Sequence, residues 1–256
     1  MQHQVEGRVR AGLRVSVVVA SGLLAGCALG QAIFPRPSDY PHFRGALAVP
    51  GSFFSLDWEG NPSSGGALTL STPIGIVLAP REFLFGVASL SKDRNFRMIT
   101  GEHGDNDVNG DAWGLVGLEY KGVRFSIGSR WLSAVGENVG TVHVQVLDRG
   151  DWKASVGTLD VGGSGAAFGN EDTRTLYAVV TTRLGPAYLS AGWGTLRYKR
   201  GFGAISWEAL TGATLFVEHD GFGFNYGIGI EMDGHWHLLI GMLRDRNAVI
   251  GTTFRL

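Results

Sequence analysis

The chain is short of cysteine, of charge and of long apolar runs, and each shortage removes a class of protein. A single cysteine among 256 residues excludes an internal disulfide. Charged residues make up 18 % of the chain, against roughly 25 % in soluble domains. The net charge is −1 and no Lys/Arg-rich run occurs, so the electrostatic footprint of a nucleic-acid binder is missing. Apart from the N-terminus there is no uninterrupted apolar stretch of ~18 residues, so no transmembrane helix is expected in the mature chain. What is present instead is glycine (40 residues) and aromatics (11 %). Many glycines, many rings and few charges suit strands that face something apolar.

The N-terminus has the order of an export signal. Arg8, Arg10 and Arg14 precede an apolar stretch from Val15 to Gly26. It ends in Leu24-Ala25-Gly26-Cys27, which resembles the lipobox of bacterial lipoproteins. The reading is a signal peptide over 1–26 with Cys27 acylated. The alternative is plain cleavage after Ala28-Leu29-Gly30. Residues 28–65 hold Pro35, Pro37, Pro41, Pro50 and Pro62 and read as a linker or short plug segment, within a periplasmic linker or N-terminal segment over 27–81.

From residue 82 the chain repeats one pattern: segments of about 8–12 residues with a period of two, separated by turns. Val123, Phe125, Ile127 and Trp131 share one strand face, with Arg124, Ser126, Gly128 and Arg130 on the other. Trp152, Ala154 and Val156 oppose Lys153, Ser155 and Gly157, and Phe224, Tyr226, Ile228 and Ile230 oppose Asn225, Gly227, Gly229 and Glu231. Either a soluble sandwich or a membrane barrel would use such strands. The segment lengths suit a tilted crossing of a bilayer, and Trp131, Trp152, Tyr120 and Trp236 sit near strand ends, where interface girdles lie. The expected fold is all-β: a transmembrane antiparallel up-and-down barrel of about 12 strands over 82–256. Both barrel ends and the N-terminus are placed in the periplasm, and the apolar faces meet lipid. The last strand, ending Phe254-Arg255-Leu256, resembles the signal read by the barrel-assembly machinery, although that signal usually ends in an aromatic.

Two stretches carry a more specific likeness. One is Ser71-Thr-Pro-Ile-Gly-Ile-Val-Leu-Ala-Pro80 followed by Glu82-Phe83-Leu84-Phe85-Gly86. The other is Phe216-Val-Glu218-His219-Asp220-Gly221 with Phe224-Asn225-Tyr226-Gly227. Together with the lipobox they resemble the YjbH-like outer-membrane lipoprotein family, associated with exopolysaccharide or capsule production. The resemblance implies a barrel in the outer membrane that assists export or surface assembly of a polysaccharide, with periplasmic export proteins as partners.

Candidate site residues follow from the strand faces. Glu218, Asp220, Gly221 and Asn225 form a polar turn that either contacts a sugar chain or is held by Asp-Gly geometry, with Glu218 paired to an arginine. Glu119, Arg124, Arg130, Lys153, Glu231, His237 and Arg255, with Glu218, form a mixed-sign set on the lumen face. Such buried charges need partners. Asp105 to Asp111 begins like a calcium loop but lacks the closing glutamate, Val116 standing in its place. His235 and His237 share a strand face, with His143 as the one further ligand suggested for a metal. Ser190 or Ser155 with His143, His219 or His237 supplies the parts of a hydrolase without a motif that joins them. The expectation is therefore no catalytic set, no metal and no cofactor. A barrel enzyme acting on outer-membrane lipid or glycan and a passive or small-solute pore are the alternatives.

Overall fold

The computed structural model describes residues 47–90, 110–132, 137–162, 174–245 and 247–256. The twelve segments form twelve antiparallel strands: β1 Phe83–Leu90, β2 Gly110–Tyr120, β3 Val123–Leu132, β4 Glu137–Arg149, β5 Trp152–Leu159, β6 Thr175–Leu184, β7 Ala187–Gly194, β8 Phe202–Leu210, β9 Ala213–His219, β10 Phe224–Glu231, β11 Trp236–Leu243 and β12 Asn247–Arg255. Each pairs with its sequence neighbours. β1 also pairs with β12, from Leu84 opposite Arg255 to Leu90 opposite Val249, so the sheet closes and has no free edge.

The outward face is apolar. Val87, Val123, Ile127, Val156, Val180, Ile205, Val217, Tyr226, Ile240 and Ile250 are exposed on it. Trp131 and Trp193 lie toward one end, and Tyr120 and Trp236 toward the other. A closed barrel that shows such a belt to its surroundings is a transmembrane barrel of the outer-membrane type. Its two ends differ. At one, two-residue turns at 121–122, 150–151, 185–186 and 211–212 join the strands. The other carries the longer connections 91–109, 160–174 and 195–201. We call these the turn end and the loop end. β1 starts and β12 finishes at the turn end.

The interior differs from a lumen lined by polar side chains and water. Residues 47–80, placed in a periplasmic linker or plug by the sequence, run inside the barrel and fill it. Leu47, Val49, Phe53, Leu56, Leu70, Ile74, Ile76 and Leu78 are each at most 1 % exposed. Phe53, Leu56, Leu70, Ile74, Ile76 and Leu78 share a core with inward apolar residues of the wall, Leu84, Trp113, Leu115, Phe216, Leu239 and Val249, while Leu47 and Val49 join a second one. β2 and β11 are therefore largely apolar on both faces, with Trp113, Leu115 and Leu239 meeting the plug and Glu119 and His237 the polar exceptions toward the turn end. Of the linker and plug readings that the sequence left open, residues 47–80 take the plug, and their placement in a periplasmic linker is corrected, because their apolar side chains pack on the inward apolar residues of the wall.

The plug makes three passes. It enters beside Leu159, Tyr177, Tyr198 and Phe202 at the loop end. It descends to Trp58 and Glu59, which meet Tyr188 and Arg124 at the turn end. Ser64 and Gly66 then climb past Thr214 and Ser206 to Ser71, beside Glu218 at the loop end. From Thr72 the chain descends again, through Gly75 and Leu78, and reaches β1 at the turn end. The glycines of the inner face make room for it. A Cβ at Gly117 would collide with the carbonyl oxygen of Ala79, and one at Gly128 with that of Ala48.

Candidate functional site

The plug satisfies part of its main chain by itself: Leu56 and Ala67 exchange two bonds, and Phe53 N reaches Thr69 O, Thr69 N reaches Gly51 O and Ile74 N reaches Pro50 O. Its isolated bridges are Ser52 with Thr69 and Leu56 with Pro62 and Ala67. A buried N–H or C=O left without a partner costs about 1–3 kcal/mol, and the wall supplies further partners from its side chains. Ser206 Oγ accepts from Leu68 N at 3.1 Å, Thr181 Oγ1 from Gly75 N at 2.7 Å, and Ser126 Oγ from Leu78 N at 3.1 Å. In the other direction Ser155 donates to Gly75 O at 2.9 Å and Thr253 to Phe53 O at 3.2 Å. Thr141 donates to Ala48 O and Thr214 to Ser64 O. The period of two had already placed Ser126 and Ser155 on the lumen face. Their role was missed because a hydroxyl there reads equally well as a group facing water.

One cluster concentrates these contacts. Glu218 is inward on β9 with Thr214 and Phe216, and β10 sets Asn225 directly opposite it. Both are buried at the tip where the plug turns from its second pass to its third. Glu218 Oε1 accepts from Ser71 N at 2.8 Å and Ser71 Oγ at 2.9 Å. Its Oε2 accepts from Leu70 N at 3.1 Å and Thr72 Oγ1 at 2.8 Å. Asn225 Nδ2 donates to Glu218 Oε1 at 2.6 Å and to Ser71 Oγ at 2.9 Å. Arg197 and Tyr198, on a short 3-10 turn at 196–198, donate to Ser71 O at 3.3 and 3.2 Å. The carboxylate thus binds the chain's own plug. The pairing of Glu218 to an arginine that the sequence suggested is replaced by these four plug donors and Asn225.

Asp220 and Gly221 close the same site from above. Asp220 Oδ1 accepts from Phe222 N at 2.9 Å and Gly223 N at 3.0 Å, and Gly221 adopts φ +89°. Asp220 Oδ2 accepts from Arg244 Nε at 3.0 Å, and Arg244 N donates to Asn225 Oδ1 at 2.6 Å. The guanidiniums of Arg200 and Arg244 each lie 4.8 Å from the Phe222 ring. Burial alone would raise the Asp220 pKa, but the Arg244 and Arg197 charges outweigh it and hold the carboxyl below its ordinary value. The segments 195–201, 220–223 and 244–245 therefore converge on one hairpin tip of the plug.

The remaining sequence candidates do not gather into a site. Arg124 donates to Glu59 O at 3.0 Å. Lys153 pairs with Asp148 at 2.8 Å and lies 5.2 Å from the Trp58 ring, while Arg255 pairs with Glu82 at 2.8 Å. Glu119 is exposed at the turn end, Arg130 is buried, and Glu231 stands opposite buried His237 in the β10–β11 register. His143 hydrogen-bonds Tyr177 at 2.8 Å and lies across the barrel from His237, on β4 against β11. Among the described residues no group of three or more metal-ligating side chains occurs. Ser155 is bound to the plug, Ser190 lies 2.7 Å from Thr181, and His219 is buried against Phe224. Cys27 and the acidic stretch 105–109 lie outside the described residues.

No family model matches the chain, and no curated protein does. Solved barrels do. A KdgM porin matches at a TM-score of 0.44 and 9 % identity, over 68 % of this chain and 98 % of that one. A porin mutant from Rh. blastica matches at 0.35 and 9 %, over 83 % and 72 %. The outer-membrane phospholipase OMPLA of Salmonella typhi, a dimer with bound calcium, matches at 0.39 and 12 %, over 82 % and 98 %. At these identities neither pore nor lipase activity is carried across to this chain.

Proposed function

We propose that this protein is a non-catalytic lipoprotein barrel of the outer membrane, closed by its own N-terminal segment, that assists exopolysaccharide or capsule assembly at the cell surface. The observation that carries the reading is the meeting of the two stretches that resemble the YjbH-like family. Ser71 and Thr72 from the first are bound by Glu218 and Asn225 from the second, across some 150 residues of sequence. The shared motif is thus a device for seating a plug, and its residues would be kept together for that reason. A lumen filled by three passes of chain favours a membrane-embedded platform for assembly over an open conduit. The outward belt meets lipid, and the barrel-assembly machinery would insert the strands.

Deletion of the gene tests this. Surface polysaccharide falls while lipid A and phospholipid composition stay unchanged. Unaltered polysaccharide overturns the reading. A changed lipid product would make the protein a lipid-modifying enzyme instead.

A further inference from the structure

The plug crosses the lumen an odd number of times, and parity fixes where the chain must have come from. β1 starts at the turn end, beside Arg81 and Glu82. Three passes back along the chain, Leu47 and Val49 pack on Leu159 at the close of β5, Tyr177 near the start of β6, Tyr198 between β7 and β8, and Phe202 at the start of β8. All four lie at the loop end. A return to the turn end inside the barrel would need a fourth pass through a lumen where Ala48, Leu56, Leu68, Leu70, Ile74 and Leu78 are already at most 1 % exposed. A return outside it would drag polar backbone through hydrocarbon, where each unsatisfied group costs several kcal/mol.

We infer that the chain upstream of Leu47 leaves the barrel at the loop end, so that the segment carrying Cys27 lies on the cell surface. This rests on the outer-membrane placement proposed above and on the rule that longer connections face outward while short turns face the periplasm. It replaces the expectation of an N-terminus in the periplasm. An acylated Cys27 would then insert its chains into the outer leaflet, on the side that displays polysaccharide.

Two single substitutions in the full chain, Ser38→Cys upstream of the plug and Ser164→Cys in the 160–174 connection, are labelled in intact cells with a membrane-impermeant maleimide. The unsubstituted protein serves as the background for Cys27. Both sites are expected to label in intact cells to a similar extent, with little increase on permeabilisation. Labelling of Ser164→Cys alone, with Ser38→Cys reacting only after permeabilisation, overturns the inference and leaves the barrel placement standing. If neither reacts until the cells are opened, the outward direction of the loop end is wrong, and the surface placement falls with it.

Discussion

Wall and plug are both extended chain, yet they satisfy their backbones by different means. The wall pairs main chain with main chain around a closed ring, from β1 to β12 and back. The plug combines scattered main-chain bonds of its own, such as Leu56 with Ala67, with side chains that project from the wall, among them Ser126, Thr181, Ser206 and Glu218. Ladder bonds tolerate almost any side chain. Side-chain bonds require a particular residue at a particular register. Substitutions that change inward polar groups should therefore act on the plug and leave the ring intact.

The sharpest way to separate the two is to remove one of them. A chain lacking residues 48–78 should still close its wall, seen as heat-modifiable mobility in detergent, and should give discrete openings in planar bilayers where the intact protein gives none. An intact protein that conducts equally would break the comparison, because the plug would not be a seal.

Glu218→Ala comes next. It strips an acceptor from Leu70 N, Ser71 N and two hydroxyls at once. With about 1–3 kcal/mol for each buried donor left unpaired and partial relaxation of the tip, the loss is on the order of 3 kcal/mol. Glu218→Gln keeps one acceptor oxygen and should lose less. Denaturant unfolding of the purified barrel measures both, and equal stability of Glu218→Ala and the parent would refute the latch.

The legible part of this molecule was the wall, and the reason is physical. A strand between lipid and anything else must alternate, so the faces of β3, β5 and β10 could be read directly, and the expected number of about twelve strands is the number found. The plug does not alternate. It has no ladder to hold a register, and its prolines and glycines look like those of any linker. Its apolar side chains at Phe53, Phe54 and Leu56 signalled burial without saying against what. Glu218 and Asn225 were visible as a polar pair on adjoining strands, but their partner lies some 150 residues away and no local pattern points to it. Arg197 and Tyr198 were hidden because β7 ends at Gly194, before a turn that the apolar pattern runs through.

A smaller effect tests the contact between the two regions. Gly117→Val and Gly128→Val each push a side chain into a plug carbonyl. Overpacking of this kind costs about 1–3 kcal/mol. In the chain lacking 48–78 Gly128→Val loses its clash with Ala48 and should be nearly silent, apart from Thr141 Oγ1 beside it, whereas Gly117→Val still meets Ala79, which that chain retains. A cost of Gly128→Val that persists undiminished without the plug would place that clash within the wall.

The smallest effect expected is a pH dependence at the loop end. Asp220 is buried and bonded to Arg244, and its folded pKa lies below the ordinary 3.8. A carboxyl lowered on folding stabilises the folded state at every pH above its unfolded value. That contribution is lost only as the pH falls through the lower, folded value. Asp220→Asn keeps the oxygen that caps Phe222 N and Gly223 N but gives up the charge beside Arg244, at a cost of about 1.5 kcal/mol. The stability gap between parent and variant should thus stay constant from neutral pH down to about 3.8, then narrow. A gap that fades between pH 7 and 5 would mean that the group titrating there is not Asp220. A gap absent at neutral pH would mean that Arg244 contributes nothing through its charge, leaving the turn held by Asx geometry alone.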